Sequence, residues 1–127
     1  MENEKIIIPN GTIYNIKYII FKESEETLNI TTTENETITY NLNNINSVIA
    51  HDNLNNINSV IAHDNIYILD FLENDDLDFK YDIKPDDLKI NSIIFEDRDS
   101  YLNFLNNFIK HVNTTRRNNS KEDIVIY

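Results

Sequence analysis

The residues best suited to chemistry are two histidine–aspartate pairs, His51-Asp52 and His63-Asp64. Imidazole and carboxylate together ligate divalent metals or pass protons. A bound metal needs about three or more converging protein ligands. The second pair is a copy of the first, so the two dipeptides supply one motif rather than a ligand set. His51 falls at the end of a strand pattern, and His111 falls where it would complement the C-terminal end of a helix dipole. The densest carboxylates are Asp70, Glu73, Asp75, Asp76, Asp78, Asp82, Asp86 and Asp87, diluted by Lys80 and Lys84. A calcium loop would need a central glycine and a glutamate at its twelfth position, and neither is present. A glycosidase pair needs a deep cleft between its carboxylates, and a small core of Tyr, Phe and Ile leaves little room for one. These acids read as a solvated hairpin edge, with Asp75, Asp76, Asp78 and Asp82 as candidate contacts for a partner. Cysteine is absent, which removes thiol catalysis, disulfides and Cys-ligated zinc. The single glycine, Gly11, excludes a P-loop, a dinucleotide fingerprint and a nucleophile elbow. After Pro9-Asn10 it marks a turn. The expectation is a non-catalytic protein with no cofactor and no metal.

The elements that carry these residues show in the alternation of apolar and polar side chains. Tyr14, Ile16, Tyr18 and Ile20 share one face. So do Leu28, Ile30 and Thr32; Ile38, Tyr40 and Leu42; and Tyr67, Leu69 and Phe71. Leu77, Phe79, Tyr81 and Ile83 alternate with Asp78, Lys80, Asp82 and Lys84, the pattern of an antiparallel sheet with one wet side. The spacing predicts strands near 12–21, 26–33, 36–42, 45–50 or 57–62, 66–72, 77–83 and 91–96. The period then changes. Tyr101, Leu102, Leu105, Phe108, Ile109 and Val112 recur at helical spacing. Asp97 or Asp99 stands ready as an N-cap, and the helix is placed near 98–112. The fold class is therefore mainly β with one C-terminal α-helix (α+β). A single domain covers 1–112, followed by a polar, mobile tail over 113–127 whose apolar end includes Val125 and Tyr127. These two are candidates for capture by a partner or for adding a strand elsewhere. Arg116 and Arg117 read as an isolated basic pair in that tail.

Residues 41–52 and 53–64 are identical at all twelve positions. An insertion of even length keeps the inward face of a strand, whereas it would turn a helix by about 120°. The duplication therefore belongs in a β context. Either copy suits one strand position. Two adjacent strand positions would reverse everything downstream. The surplus copy leaves Leu54, Ile57, Val60 and Ile61 without a core, which offers a surface for a homodimer or a swapped arm.

The formal net charge is −11, with nine acids and three bases in 1–64 and thirteen and eight in 65–127. A surface this negative repels phosphate backbones and anionic lipid, so neither nucleic acid nor membrane is an expected partner. A basic protein is. Met1-Glu2-Asn3-Glu4-Lys5 followed by three isoleucines lacks the charge and length of a secretory signal, and no segment approaches the roughly 20 apolar residues of a span. The expected compartment is the cytoplasm. The bias to Asn, Ile, Lys and Tyr fits an AT-rich genome.

Seven strands followed by one helix, with Ile93-Ile94-Phe95-Glu96-Asp97 running into that helix, resembles the pleckstrin-homology-like (PH-like) superfold. The resemblance covers most of 12–112 and implies two packed antiparallel sheets capped by the helix. It implies an interaction module. The lipid site of phosphoinositide-binding members does not carry over, because the first hairpin here reads Lys22-Glu23-Ser24-Glu25-Glu26 and is net negative. The expected function is a non-catalytic protein–protein interaction module that dimerises through the duplicated segment. The alternative is a small acidic inhibitor, of the immunity-protein kind, that neutralises a basic nucleic-acid enzyme or toxin.

Overall fold

The computed structural model describes residues 4–51, 66–73 and 89–127. Its strands are β1 (Lys5–Ile7), β2 (Ile13–Lys22), β3 (Thr27–Thr32), β4 (Thr37–Asn41), β5 (Ile45–His51), β6 (Tyr67–Glu73) and β7 (Lys89–Phe95), followed by α1 (Arg98–Asn118). All the ladders are antiparallel, and they join the strands in one sheet ordered β4-β3-β2-β1-β7-β6-β5. Each strand pairs with its neighbour in sequence except β4 and β5, which form the two edges. Yet β4 and β5 are joined by only the short 3-10 turn Leu42–Asn44. A flat sheet cannot bring its opposite edges that close, so the sheet is rolled. Tyr40 on edge strand β4 confirms the curl from inside, because its hydroxyl donates to Asn91 Oδ1 on β7 at 2.8 Å. The expected strand over 77–83 and the second repeat copy lie outside the described residues. The first copy supplies both the 3-10 turn and β5, and it buries Leu42, Ile45 and Val48.

β1 closes the ring of pairings between β2 and β7, and its Ile6 is fully buried. Alternation cannot reveal a strand of three residues, and the isoleucine run registers in the sequence only as too short to span a membrane. Gly11, at φ 90°, makes the turn into β2, with Gly11 N–H donating to Ile8 O at 2.9 Å. Tyr18 and Ile20 correct the inward face expected for β2. A β-bulge between Ile16 and Tyr18 inserts a residue against β3, and one extra residue flips every side chain beyond it. Ile16 therefore stays buried, while Tyr18 and Ile20 are 44% and 46% exposed and Ile19 and Phe21 turn to the core.

The helix fills the inside of the roll. Tyr101, Phe104, Phe108 and Val112 are buried at a spacing of three to four residues. Phe108 packs on Phe71 at 5.3 Å between ring centroids, and Phe104 on Phe95 at 5.4 Å. Asp97 is the N-cap, accepting from Ser100 N–H at 3.0 Å and from the Ser100 hydroxyl at 2.8 Å. Those bonds, the hydroxyl's first, hold the Asp97 carboxyl below its ordinary pKa. The helix runs to Asn118 rather than ending near 112. Thr115 continues the buried stripe and Arg116 and Arg117 form the basic last turn, so His111 lies in the helix interior. No helix of the described residues is long and apolar enough to cross a membrane.

Candidate partner-binding sites

The β2–β3 connection is a 3-10 turn, Glu23–Glu25, that ends on Glu26 at φ 55°. A left-handed backbone is uncommon outside glycine and Asn/Asp. Two backbone bonds hold it there: Glu26 N–H donates to Glu23 O at 3.2 Å, and Leu42 N–H donates to Glu26 O at 2.9 Å. The second bond ties this turn to the start of the β4–β5 turn. Facing both is the C-terminal half of α1. Between them is a cleft of about 390 Å³, lined by Glu23, Glu26, Leu42, Lys110, His111, Thr114, Thr115 and Asn118. The His111 ring stacks on Phe21, with centroids 4.3 Å apart and planes 12° from parallel, and its Nδ1 lies 3.8 Å from Glu23 Oε1. Glu26 Oε2 is buried and has no hydrogen-bond partner among the described residues. A desolvated carboxylate oxygen without a donor is costly, and a cationic donor would satisfy it. The sequence gives little sign of this cleft, because Glu23 and Glu26 sit in a short polar gap and meet His111 only through the fold.

His51 takes Asp70, on the neighbouring strand, as its partner. His51 Nε2 lies 2.9 Å from Asp70 Oδ2, and the Ser92 hydroxyl donates to Asp70 Oδ1. Asp70 alternates with the buried Leu69 and Phe71, so this row lies on the outer face of β5, β6 and β7. A base-activated serine requires the imidazole between hydroxyl and carboxylate. Here the carboxylate is in the middle, so the row orders three strands without activating Ser92. Among the described residues no three His, Asp or Glu side chains gather to hold a metal ion.

The chain's apolar C-terminal segment makes one isolated parallel bridge, from Ile126 to Val48 of β5. Tyr127 N–H donates to Val48 O and Ala50 N–H to Tyr127 O, each at 2.9 Å, in a parallel bridge of Ile126 to Val48. Two backbone groups of edge strand β5, Val48 O and Ala50 N–H, are thereby paired. Arg116 and Arg117 fasten this segment rather than lying in a free tail. Arg116 donates to Glu122 O at 2.6 Å and to Ile45 O at 3.3 Å, and Arg117 forks onto the Asp123 carboxylate. The Arg117 pairing holds the Asp123 carboxyl below its usual range. Ile124 is buried, while Val125 and Tyr127 are 61% and 72% exposed. Of the other candidate contacts, Asp75, Asp76, Asp78, Asp82, Leu54, Ile57, Val60 and Ile61 all lie outside the described residues. An apolar pair that the alternation placed in the core, Tyr18 and Ile20, is instead on the outer face, opposite Thr31 and Asn29 of β3.

No protein-family model, curated protein or solved structure matches this chain.

Proposed function

We propose that this chain is a non-catalytic, cytoplasmic protein-interaction module of PH-like fold whose cleft receives a basic side chain of a protein partner. The observation that carries the reading is the buried Glu26 Oε2, which lacks a donor among the described residues. Glu23 beside it adds a second carboxylate, and Lys110 offsets only one of the two charges. A guanidinium brings five donors in a planar fork, so it suits a carboxylate recessed in a cleft better than a neutral group does. The PH-like assignment is supported by the order of the pairings, a meander open between β4 and β5 with a terminal helix inside the roll. The bulge in β2 is the place where such a roll would bend into two packed sheets.

The test is a titration of isotope-labelled protein with short arginine-containing peptides and with matched citrulline peptides. Arginine peptides are expected to shift the amides of Glu23, Glu26 and His111, and Glu26→Gln is expected to weaken binding by about tenfold, the scale of one charge-assisted hydrogen bond. Equal responses to citrulline, or an affinity indifferent to Glu26→Gln, would overturn the reading. The net charge of −11, spread over both halves of the chain, favours a second reading as an acidic inhibitor of a basic nucleic-acid enzyme. Binding of that kind falls steeply with added salt, because on-rates depend on long-range steering. Binding to such enzymes that is indifferent to salt would count against it.

A further inference from the structure

Strand β4, Thr37–Asn41, is one edge of the sheet. The roll brings both edges together at the turn Leu42–Asn44, but among the described residues no ladder joins β4 to β5. The bonds at either end of β4 fix which of its backbone groups face outward. Thr32 N–H donates to Glu36 O at 2.8 Å, and Leu42 N–H donates to Glu26 O at 2.9 Å. Both pairs continue the β3–β4 register, which sets Thr31 against Thr37 and Thr27 against Asn41. Bonded and non-bonded pairs alternate along an antiparallel ladder. The bonded pairs within it are therefore Ile30 with Ile38 and Leu28 with Tyr40. Thr37 and Thr39 alternate with these and turn their N–H and C=O groups away from β3. Those backbone groups have no partner among the described residues. The opposite edge differs, because Tyr127 occupies Val48 O and Ala50 N–H of β5. Nor is β4 blunted by the usual devices of edge strands. It carries no charge and no proline, and its register with β3 is unbroken.

We propose that the partner docks as an extended segment that pairs with β4 and carries a basic side chain at each end. This rests on the cleft reading and adds the form of the partner to it. Charge decides between occupants. Exposed Glu34 and Glu36 stand just before β4. Leu42, directly after it, lines the cleft together with Glu23 and Glu26. The uncharged strand is thus bracketed by acids. A second copy, pairing antiparallel about Thr39, would set Glu36 opposite Leu42 of the other copy, beside the carboxylates of that cleft. The two-fold would repeat this at both ends, and like charges so placed are destabilising. A foreign strand with basic ends meets acid at both. β4 has five residues. Basic side chains about six positions apart, roughly 20 Å in extended chain, therefore span it from Glu36 to Leu42. Addition of a strand to an open edge takes its affinity from main-chain bonds and its specificity from side chains, which here are the basic ends.

The experiment titrates the full chain with the peptide Arg-Thr-Val-Thr-Val-Thr-Arg, blocked at both termini, and with two forms of it N-methylated at alternate nitrogens. In an added strand only alternate N–H groups face the edge. One methylated form is expected to bind about tenfold more weakly, the scale of one or two lost hydrogen bonds. The other is expected to bind like the parent peptide. Thr39→Pro removes an outward N–H and leaves the bonds to β3 in place, a change that edge strands accept. With native circular dichroism, it is expected to weaken the parent peptide about tenfold as well. Glu26→Gln separates the two readings. If it weakens binding while both methylated forms bind like the parent, the cleft reading stands and the added strand is overturned. If one methylated form loses affinity and Glu26→Gln changes nothing, the cleft reading falls and takes the proposed placement of the basic ends with it. A dimer of the chain alone that Thr39→Pro dissociates would seat a second copy on β4 and also overturn the proposal.

Discussion

Tyr40 and Asn91 are polar residues sealed in an apolar interior, 3% and 0% exposed, and each satisfies the other. The Tyr40 hydroxyl donates to Asn91 Oδ1, and the Asn91 amide donates on to Glu73 Oε1 at 3.2 Å. Removing the hydroxyl in Tyr40→Phe orphans a buried carbonyl oxygen, so the expected loss is about 1–2 kcal/mol in urea unfolding. Burial first, and the Glu73 charge second, push the Tyr40 phenol well above its ordinary value of 10.0. A folded pKa above the unfolded one gives stability that is complete below pH 10 and is lost as pH rises beyond it. The alkaline limb of the wild-type stability curve should therefore fall from about pH 10 upward, and the limb of Tyr40→Phe should be flatter. A second residue-scale expectation concerns Ser120, which sits at φ 60° just past α1. Lys121 N–H donates to Arg116 O and Ser120 N–H to Arg117 O, the paired bonds of a helix end that normally uses glycine. Ser120→Gly removes the steric cost of that backbone and should raise stability by about 0.5–1 kcal/mol, read as a higher urea midpoint. The parity of Tyr18 and Ile20 shows where residue patterns mislead. Both fit the alternating stripe of β2, and a bulge that no local signal announces turns them outward.

At the scale of elements, an insertion of twelve residues preserves the inward face of a strand because strands have a period of two. Deleting 53–64 restores a three-residue connector on each side of the strand and should leave a folded domain with native circular dichroism. Deleting 41–64 removes the residues of β5 altogether. It strips Leu42, Ile45 and Val48 from the core and unpairs one side of β6, so that chain should fail to fold. The helix was legible in its apolar spacing and in the Asp97 cap. Its last six residues were not, because the apolar stripe is continued there by Thr115, a residue whose burial depends on packing. The C-terminal segment behaves in the same way. Ile124, Val125, Ile126 and Tyr127 read as an apolar end, but only the fold brings Ile126 and Tyr127 to the backbone of β5. Truncation before Ile124 should cost about 2 kcal/mol, from the lost burial of one isoleucine. It should also raise self-association on gel filtration, because a bare edge strand invites pairing with another chain.

For the molecule as a whole, the proposed reading assigns the acidic surface and the cleft to different ranges. On that proposal the charge of −11 would steer a basic partner over about a Debye length, and the cleft at Glu23 and Glu26 would select what docks. The sequence by itself determined the class of the fold and the sign of the surface. Alternating side chains at 26–42 and 66–72, a change to helical spacing after Asp97, and the excess of acids are all local or additive properties, legible one segment at a time. The tertiary structure decided what depends on residues distant in sequence. It rolled the sheet so that its edges meet at Leu42–Asn44, inserted Lys5–Ile7 between β2 and β7, and turned Tyr18 outward. It also brought Glu26 against a helix that begins more than seventy residues later. Periodicity records which face of an element is apolar. It carries no information about which other element covers that face, because that choice is made by the packing of the whole chain.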